Sequence, residues 1–326
     1  MLLLIVGLKD LQDRCEVVKS KHYSENTHPT RDSQVKKYLE FCEDYKGILK
    51  PFPCDADQVC LYVTHMMKTL KYISIVNYLS GLNDYLKQNR QAPIDYNDYN
   101  VYRCTQGAKR ILGDKAEQAE PLLPGQIADI FDILTESPGH VCFRAALLTS
   151  FRGLLRKAHV TKSPAMLKRG DFKFYTWGML LHISKSKTIQ FAERTIDIPI
   201  ARLGRKDLCA VHWVERHFNE CKAGASEEAF RLPDGRPLSY KIYQDTLKYV
   251  SAEVGLDPKK FSSHSLRRGG ATFLLMSGAS MSEIKRRGDW TSNCVFKYLK
   301  APLKVRIMDD MRMSEMFLRE VDETRN

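Results

Sequence analysis

Two stretches near the end of the chain carry residue types suited to handling a phosphate. In S-H-S-L-R-R-G-G-A-T-F, residues 263–273, His264 and Arg267 stand three apart at the start of a predicted helix. That spacing puts an imidazole and a guanidinium on one helix face. The first turn adds unpaired N–H groups and positive potential, so an anion could be held by all of these together. Downstream, G-D-W-T-S-N-C-V-F-K-Y-L, residues 288–299, sets Trp290 eight residues before Tyr298 around a short helix predicted from Ser292. A phenol held in line with a leaving oxygen can attack phosphorus, and a short helix could hold it there. Alone, each segment also reads blandly: the first as a basic turn with a capping serine, the second as a half-buried tyrosine beside a tryptophan.

The elements that must position these groups follow from hydrophobic spacing. Val35, Tyr38, Leu39 and Cys42 share a helix face that ends near Gly47. Asp55 and Gln58 suit a capping box for a second helix carrying Val59, Tyr62, Val63 and Met66. Ile75, Leu79, Leu82 and Leu86 mark a third helix, and residues 101–112 a fourth. Residues 1–29 read as a flexible lead-in, 30–112 as a compact all-helical unit, 113–124 as a linker and 125–326 as a second domain. In that domain, helices are expected at 126–134, 140–155, 208–221, 240–254, 265–277, 281–286, 292–299 and 303–321. Short β-prone runs at 171–175, 179–184 and 195–200 interrupt them.

With 326 residues, 43% hydrophobic and 28% charged, the chain is long enough for two packed domains. Lys and Arg number 51 against 39 Asp and Glu, a net charge of +12 that favours a polyanion as partner. Nine scattered cysteines, at 15, 42, 54, 60, 104, 142, 209, 221 and 294, lack C-x-x-C spacing. Neither a zinc site nor a disulfide framework is expected, and a reducing intracellular compartment is. The apolar run 1–7 is far shorter than the ~20 residues that span a bilayer, so no membrane role is expected. No phosphate loop or metal-ligand cluster points to a cofactor.

The H-x-x-R-x-G motif at 264–269, the G-x-W turn and the tyrosine after it resemble the C-terminal half of the tyrosine recombinase and phage integrase family. The likeness is nearest to Cre-type enzymes and to recombinases of DIRS-like and Crypton-like eukaryotic mobile elements. F-R-G-L-L-R-K-A at 151–158 is similar to the segment holding the family's first catalytic arginine, which makes that residue Arg156. I-S-K-S-K-T-I at 183–189 is similar to the family's β-hairpin lysine segment, with Lys187 the best match and Lys185 the fallback. The resemblance covers most of residues 30–320, and the ordered set Arg156, Lys187, His264, Arg267, Trp290 and Tyr298 is its specific part.

It implies a mainly α fold with a small three-stranded antiparallel β-sheet, arranged as a two-domain, C-shaped clamp: a helical core-binding domain and a mixed α/β catalytic domain. It implies DNA cleavage and rejoining through a 3′-phosphotyrosine on Tyr298, without cofactor, by a homotetramer on two duplexes linked through exchanged C-terminal helices. A nuclear location follows for a eukaryotic host. Two guanidiniums would offset charge growing at phosphorus, Lys187 would protonate the leaving 5′-oxygen, and Trp290 could donate from its indole N–H. Phosphate contacts are expected from Lys68, Lys71, Arg90, Lys109 and Arg110, and from Lys259, Lys260, Arg268 and Arg287. One departure stands out: many relatives have an acidic residue three positions after the first arginine, where this chain has His159. That substitution leaves room for a catalytically silent DNA-binding protein of the same fold, and a type IB topoisomerase-like enzyme is a further alternative.

Overall fold

A computed structural model describes residues 2–23, 27–114, 118–189, 193–297 and 299, with positions 307, 310, 311 and 313–316 beyond them. The chain divides into two compact units, Met1–Glu117 and Gln118–Asn326.

The first unit is helical: α1 (Leu2–Ser20), α2 (His28–Asp44), α3 (Ala56–Met66), α4 (Tyr72–Gln88) and α5 (Tyr99–Leu112). The faces that the spacing picks out make its core, with Tyr38, Tyr62, Val63, Ile75, Leu79, Leu82 and Leu86 all buried. Asp55 caps α3 by accepting from the Gln58 N–H at 2.8 Å. The reciprocal half of the expected capping box is missing, because the Gln58 amide turns inward and donates to the Tyr38 hydroxyl at 2.6 Å and the Lys50 carbonyl at 2.8 Å. A buried polar side chain is worth more where it satisfies core acceptors than at a solvated cap. Where the sequence suggests a loose lead-in, residues 2–20 form a 19-residue helix. Its Leu8, Leu11, Val17 and Val18 are exposed.

The second unit is built around α7 (Pro138–Arg152), apolar on all sides and buried from Val141 to Phe151. It is flanked by α6 (Pro124–Ile133), α9 (Ala210–Cys221), α10 (Tyr240–Glu253) and α11 (Ser263–Met276), with short α8 (Lys157–Val160) and α12 (Met281–Gly288) beside them. Inside this core the Arg144 guanidinium lies 4.8 Å from the Phe131 ring and 4.6 Å from the Trp213 ring. It donates to the carbonyls of Phe131 and Leu134 at 2.8 and 2.5 Å, closing the C-terminal end of α6.

Strands β1 (Phe172–Tyr175), β2 (Gly178–Ile183) and β3 (Ile196–Ala201) form one antiparallel sheet in that order, with Phe172 opposite Leu181 and Leu181 opposite Ile198. Met179, Leu181, Ile183, Ile198 and Ile200 are buried, while Lys173 and Asp197 alternate outward. The fold is thus mainly α with a three-stranded antiparallel sheet. The expected helix at 292–299 is a 3-10 turn, Asn293–Lys297. Tyr298 lies outside the described residues, as does most of the expected helix 303–321, whose described positions are helical.

Candidate active site

A small second core of Leu154, Ala271, Ile284, Trp290 and Val295 brings three chain segments together. Gly269 lets α11 approach closely, since a Cβ there would run into the Leu122 carbonyl. Gly288 does the same at the end of α12, where a Cβ would collide with the Trp290 ring. The motif glycine Gly269 is therefore a packing requirement.

On this support Arg156 and Arg267, 111 positions apart in sequence, reach adjacent main-chain carbonyls. Arg267 donates to the carbonyls of Gly288 and Leu154. Arg156 donates to the carbonyl of Asp289 at 3.4 Å. The Arg267 guanidinium lies 4.0 Å from the centre of the Trp290 ring, a cation–π stack that assigns the buried indole a role beyond filling space. Arg267 is 3% exposed, whereas the Arg156 side chain keeps 22% of its surface open. The outward guanidinium is Arg156.

His159 lies behind the pair and is buried. Burial first, then the charges of Arg156 and Arg267, push its pKa down to about 4. The imidazole is neutral near pH 7 and adds no like charge beside the two arginines.

The carboxylate beside Arg156 is that of Asp289, which the sequence reading did not single out. Asp289 follows α12 in the left-handed region, φ +54°, a conformation that Asp tolerates better than most residues. Its carboxylate accepts from the Thr188 hydroxyl, from Arg194 Nη2 at 2.6 Å and from the Ser186 hydroxyl at 3.4 Å, and lies 3.5 Å from Arg156 Nη1. Burial alone would raise its pKa. Hydrogen bonds from Thr188 and Arg194, with the charges of Arg194 and Arg156, outweigh that and hold it below the ordinary carboxylate range.

Lys187 is exposed at the corner of a tight turn between β2 and β3, closed by paired Ser186 and Ile189 main-chain hydrogen bonds of 3.2 Å each way. Lys185 is also exposed. His264, in the first turn of α11, keeps an exposed edge; surrounding protein, then the charges of Lys157, Arg267 and Arg268, lower its pKa. The space between Arg156, His159, Ser186 and Arg267 is small, about 10 Å³, and a wider cavity of about 360 Å³ opens beside it, lined by Arg194, Lys285, Arg286, Asp289 and Trp290. The structure thus brings Arg156, Arg267 and Trp290 together and ties the Lys187 turn to them through Asp289.

Of the basic residues expected to meet phosphates, Lys68, Lys71, Arg90, Arg110, Lys259 and Lys260 are exposed. Lys109 pairs with Asp114 at 2.9 Å. Arg268 is buried and donates to Gln118, and Arg287 donates to the carbonyls of Arg152 and Pro199 at 2.8 and 2.9 Å. These two hold the second unit together from within.

No family model matches the chain. No curated protein matches it either. Solved structures do. The Tn1549 transposon integrase in complex with transposon right end DNA superposes with a TM-score of 0.65 at 14% identity, covering 92% of this chain and 98% of that one. A lambda integrase dimer bound to a core site gives 0.59 at 15%, covering 90% and 95%. The XerH site-specific recombinase bound to a palindromic difH substrate gives 0.60 at 14%, covering 86% and 77%. Helix order, the three-stranded sheet and these superpositions together show that the chain has the fold of the tyrosine recombinases and integrases.

Proposed function

We propose that this protein is a site-specific DNA recombinase that breaks and rejoins strands through Tyr298. The observation that carries this reading is the convergence of Arg156 and Arg267 on the adjacent carbonyls of Gly288 and Asp289, ten and nine residues before that tyrosine. Arg156 faces outward to take the non-bridging oxygens, while Arg267, held from behind by Trp290, lends its charge in a low-dielectric setting.

The phenol oxygen of Tyr298 attacks phosphorus, and the P–O5′ bond breaks. The phenol proton passes to His264, whose lowered pKa leaves its lone pair free near neutrality. The Lys187 ammonium gives its proton to the departing 5′-oxygen. The strand is left joined to Tyr298 through a 3′-phosphate, and attack by a 5′-hydroxyl reverses each step. In this reading the first unit is a core-binding domain that grips DNA with exposed Lys68, Lys71, Arg90 and Arg110, while Lys259 and Lys260 do so from the second. Four copies act on two duplexes, with helix 303–321 reaching between neighbours, and in a eukaryotic host the work is nuclear.

One observation favours a second reading, a DNA-binding protein of this fold without strand exchange: Arg267 is already committed to two protein carbonyls. A duplex site recovered by selection from random DNA, nicked close to the point of cleavage, separates the two. Recombinase chemistry traps a covalent protein–DNA adduct that Tyr298→Phe abolishes. Tight binding without adduct supports the silent protein, and relaxation of any supercoiled plasmid by a single copy supports a topoisomerase.

A further inference from the structure

We infer that Asp289 is a positioning residue that holds the general-acid turn in register with the phosphate-binding arginine. The inference rests on the proposed strand-cleaving function and adds a residue to it.

Lys187 has no rigid element of its own. It occupies one corner of a turn whose neighbours on both sides, Ser186 and Thr188, carry hydroxyls, and both hydroxyls reach the Asp289 carboxylate. Ser186 also accepts from the Thr188 N–H at 3.1 Å, so the two anchors are braced against each other. Arg194, on the return path to β3, ties the far side of the loop to the other carboxylate oxygen at 2.6 Å. The same carboxylate stands 3.5 Å from Arg156 Nη1. One buried carboxylate therefore fixes the distance between the group that would hold the phosphate and the turn that would protonate the leaving oxygen. The carboxylate that many relatives place after the first arginine is replaced by one that arrives 133 residues later and reaches the lysine turn as well.

The reaction separates a loop-positioning role from a general loss of structure. A 5′-oxygen must be protonated as it leaves, but a 5′-sulfur leaves as a thiolate, whose conjugate acid has a pKa of about 8.5 for a cysteine-like thiol. A substrate with sulfur in place of the bridging 5′-oxygen no longer needs Lys187. General acids contribute roughly 100- to 10,000-fold, and displacement of the acid by about 1 Å forfeits much of that. Asp289→Asn keeps the shape and removes the charge; Thr188→Val leaves the contact of Asp289 with Arg156 in place and removes the hydroxyl's bonds to Asp289, Ser186 and Arg156, so that Ser186 and Arg194 remain as the loop's ties to Asp289.

Adduct formation would be followed for wild type, Asp289→Asn, Thr188→Val and Lys187→Ala on oxygen- and sulfur-bridged forms of the nicked duplex. All three variants are expected to slow about 10- to 100-fold or more on the oxygen substrate and to stay within about threefold of wild type on the sulfur substrate. Equal losses of Asp289→Asn on both substrates, or no loss on the oxygen form, would overturn the inference. If wild type itself forms no adduct on either substrate, the strand-cleaving function fails first and the inference falls with it, a result distinct from a selective failure of the variants.

Discussion

Protonating His159 should weaken the second unit by a measurable, calculable amount. The ring is 3% exposed, and its nitrogens make no hydrogen bond of good geometry among the described residues, although the Lys185 main chain lies near enough to act on it. Its pKa falls to about 4 through burial and the charges of Arg156 and Arg267, against about 6.5 in an unfolded chain. Between those values the unfolded state binds the extra proton, so stability rises with pH across the window. The contribution is fully present above the unfolded pKa and is lost as pH falls toward about 4. Summed between about pH 7 and about pH 5, a histidine with this depression costs roughly 2 kcal/mol.

His217 is also buried, with a pKa of about 4 caused mainly by burial, so wild type should lose roughly twice that amount from the pair. Urea unfolding followed by tryptophan fluorescence reads the second unit alone, because Trp177, Trp213 and Trp290 all belong to it. The variant is His159→Leu, close in volume and unable to titrate. Its absolute stability matters less than its pH response: the loss between the two pH values should be about 2 kcal/mol smaller than in wild type. Groups such as Asp289 titrate in both proteins and cancel in the difference. An unchanged pH response in the variant would refute the reasoning, for it would mean that His159 takes up its proton in the folded state without penalty.

The remaining expectations concern packing and charge. Trp290→Ala removes the ring under Arg267 and empties the small second core; unfolding measurements should show a loss of about 3–5 kcal/mol, and Trp290→Phe, which keeps a ring face, a smaller one. Gly269→Ala gains helix propensity but drives a methyl into the Leu122 carbonyl, so the melting temperature should fall, with a net cost of about 1–3 kcal/mol. Lys259→Ala with Lys260→Ala should weaken DNA binding evenly across sequences and reduce the slope of log affinity against log salt by about 2 at unchanged stability. Arg268→Ala should do the opposite, lowering stability through loss of its buried contact to Gln118, with little change in salt slope.

The parts of this fold legible in the sequence are those that repeat at short range. Ile75, Leu79, Leu82 and Leu86 declare a helix face without reference to any other segment, and alternation in 178–183 and 196–201 similarly betrays strands. Helix α1 escaped because its described apolar residues Leu8, Leu11, Val17 and Val18 are exposed and form no buried stripe. In the site, residue types with few alternative explanations could be picked out, but their partners could not. Asp289 in G-D-W looks like any residue ending a helix, and nothing within several positions of it indicates Thr188 or Arg194 as ligands of its carboxylate. Arg268 and Arg287 show the converse error source: an arginine that binds a phosphate and one that gathers protein carbonyls are the same letter, and only the surrounding backbone decides between them.

The long separation between Arg156 and Asp289 has a consequence for how the protein is made. A chain emerging from the ribosome folds its early segments first, so α7, α8 and the sheet can be complete while α12 has yet to be synthesised. Until residues 288 and 289 arrive, Arg156 lacks its carbonyl and carboxylate contacts and the Lys187 turn lacks its anchor. A product interrupted before that point could fold in part, but Arg156, the Lys187 turn and Asp289 would not come together in it.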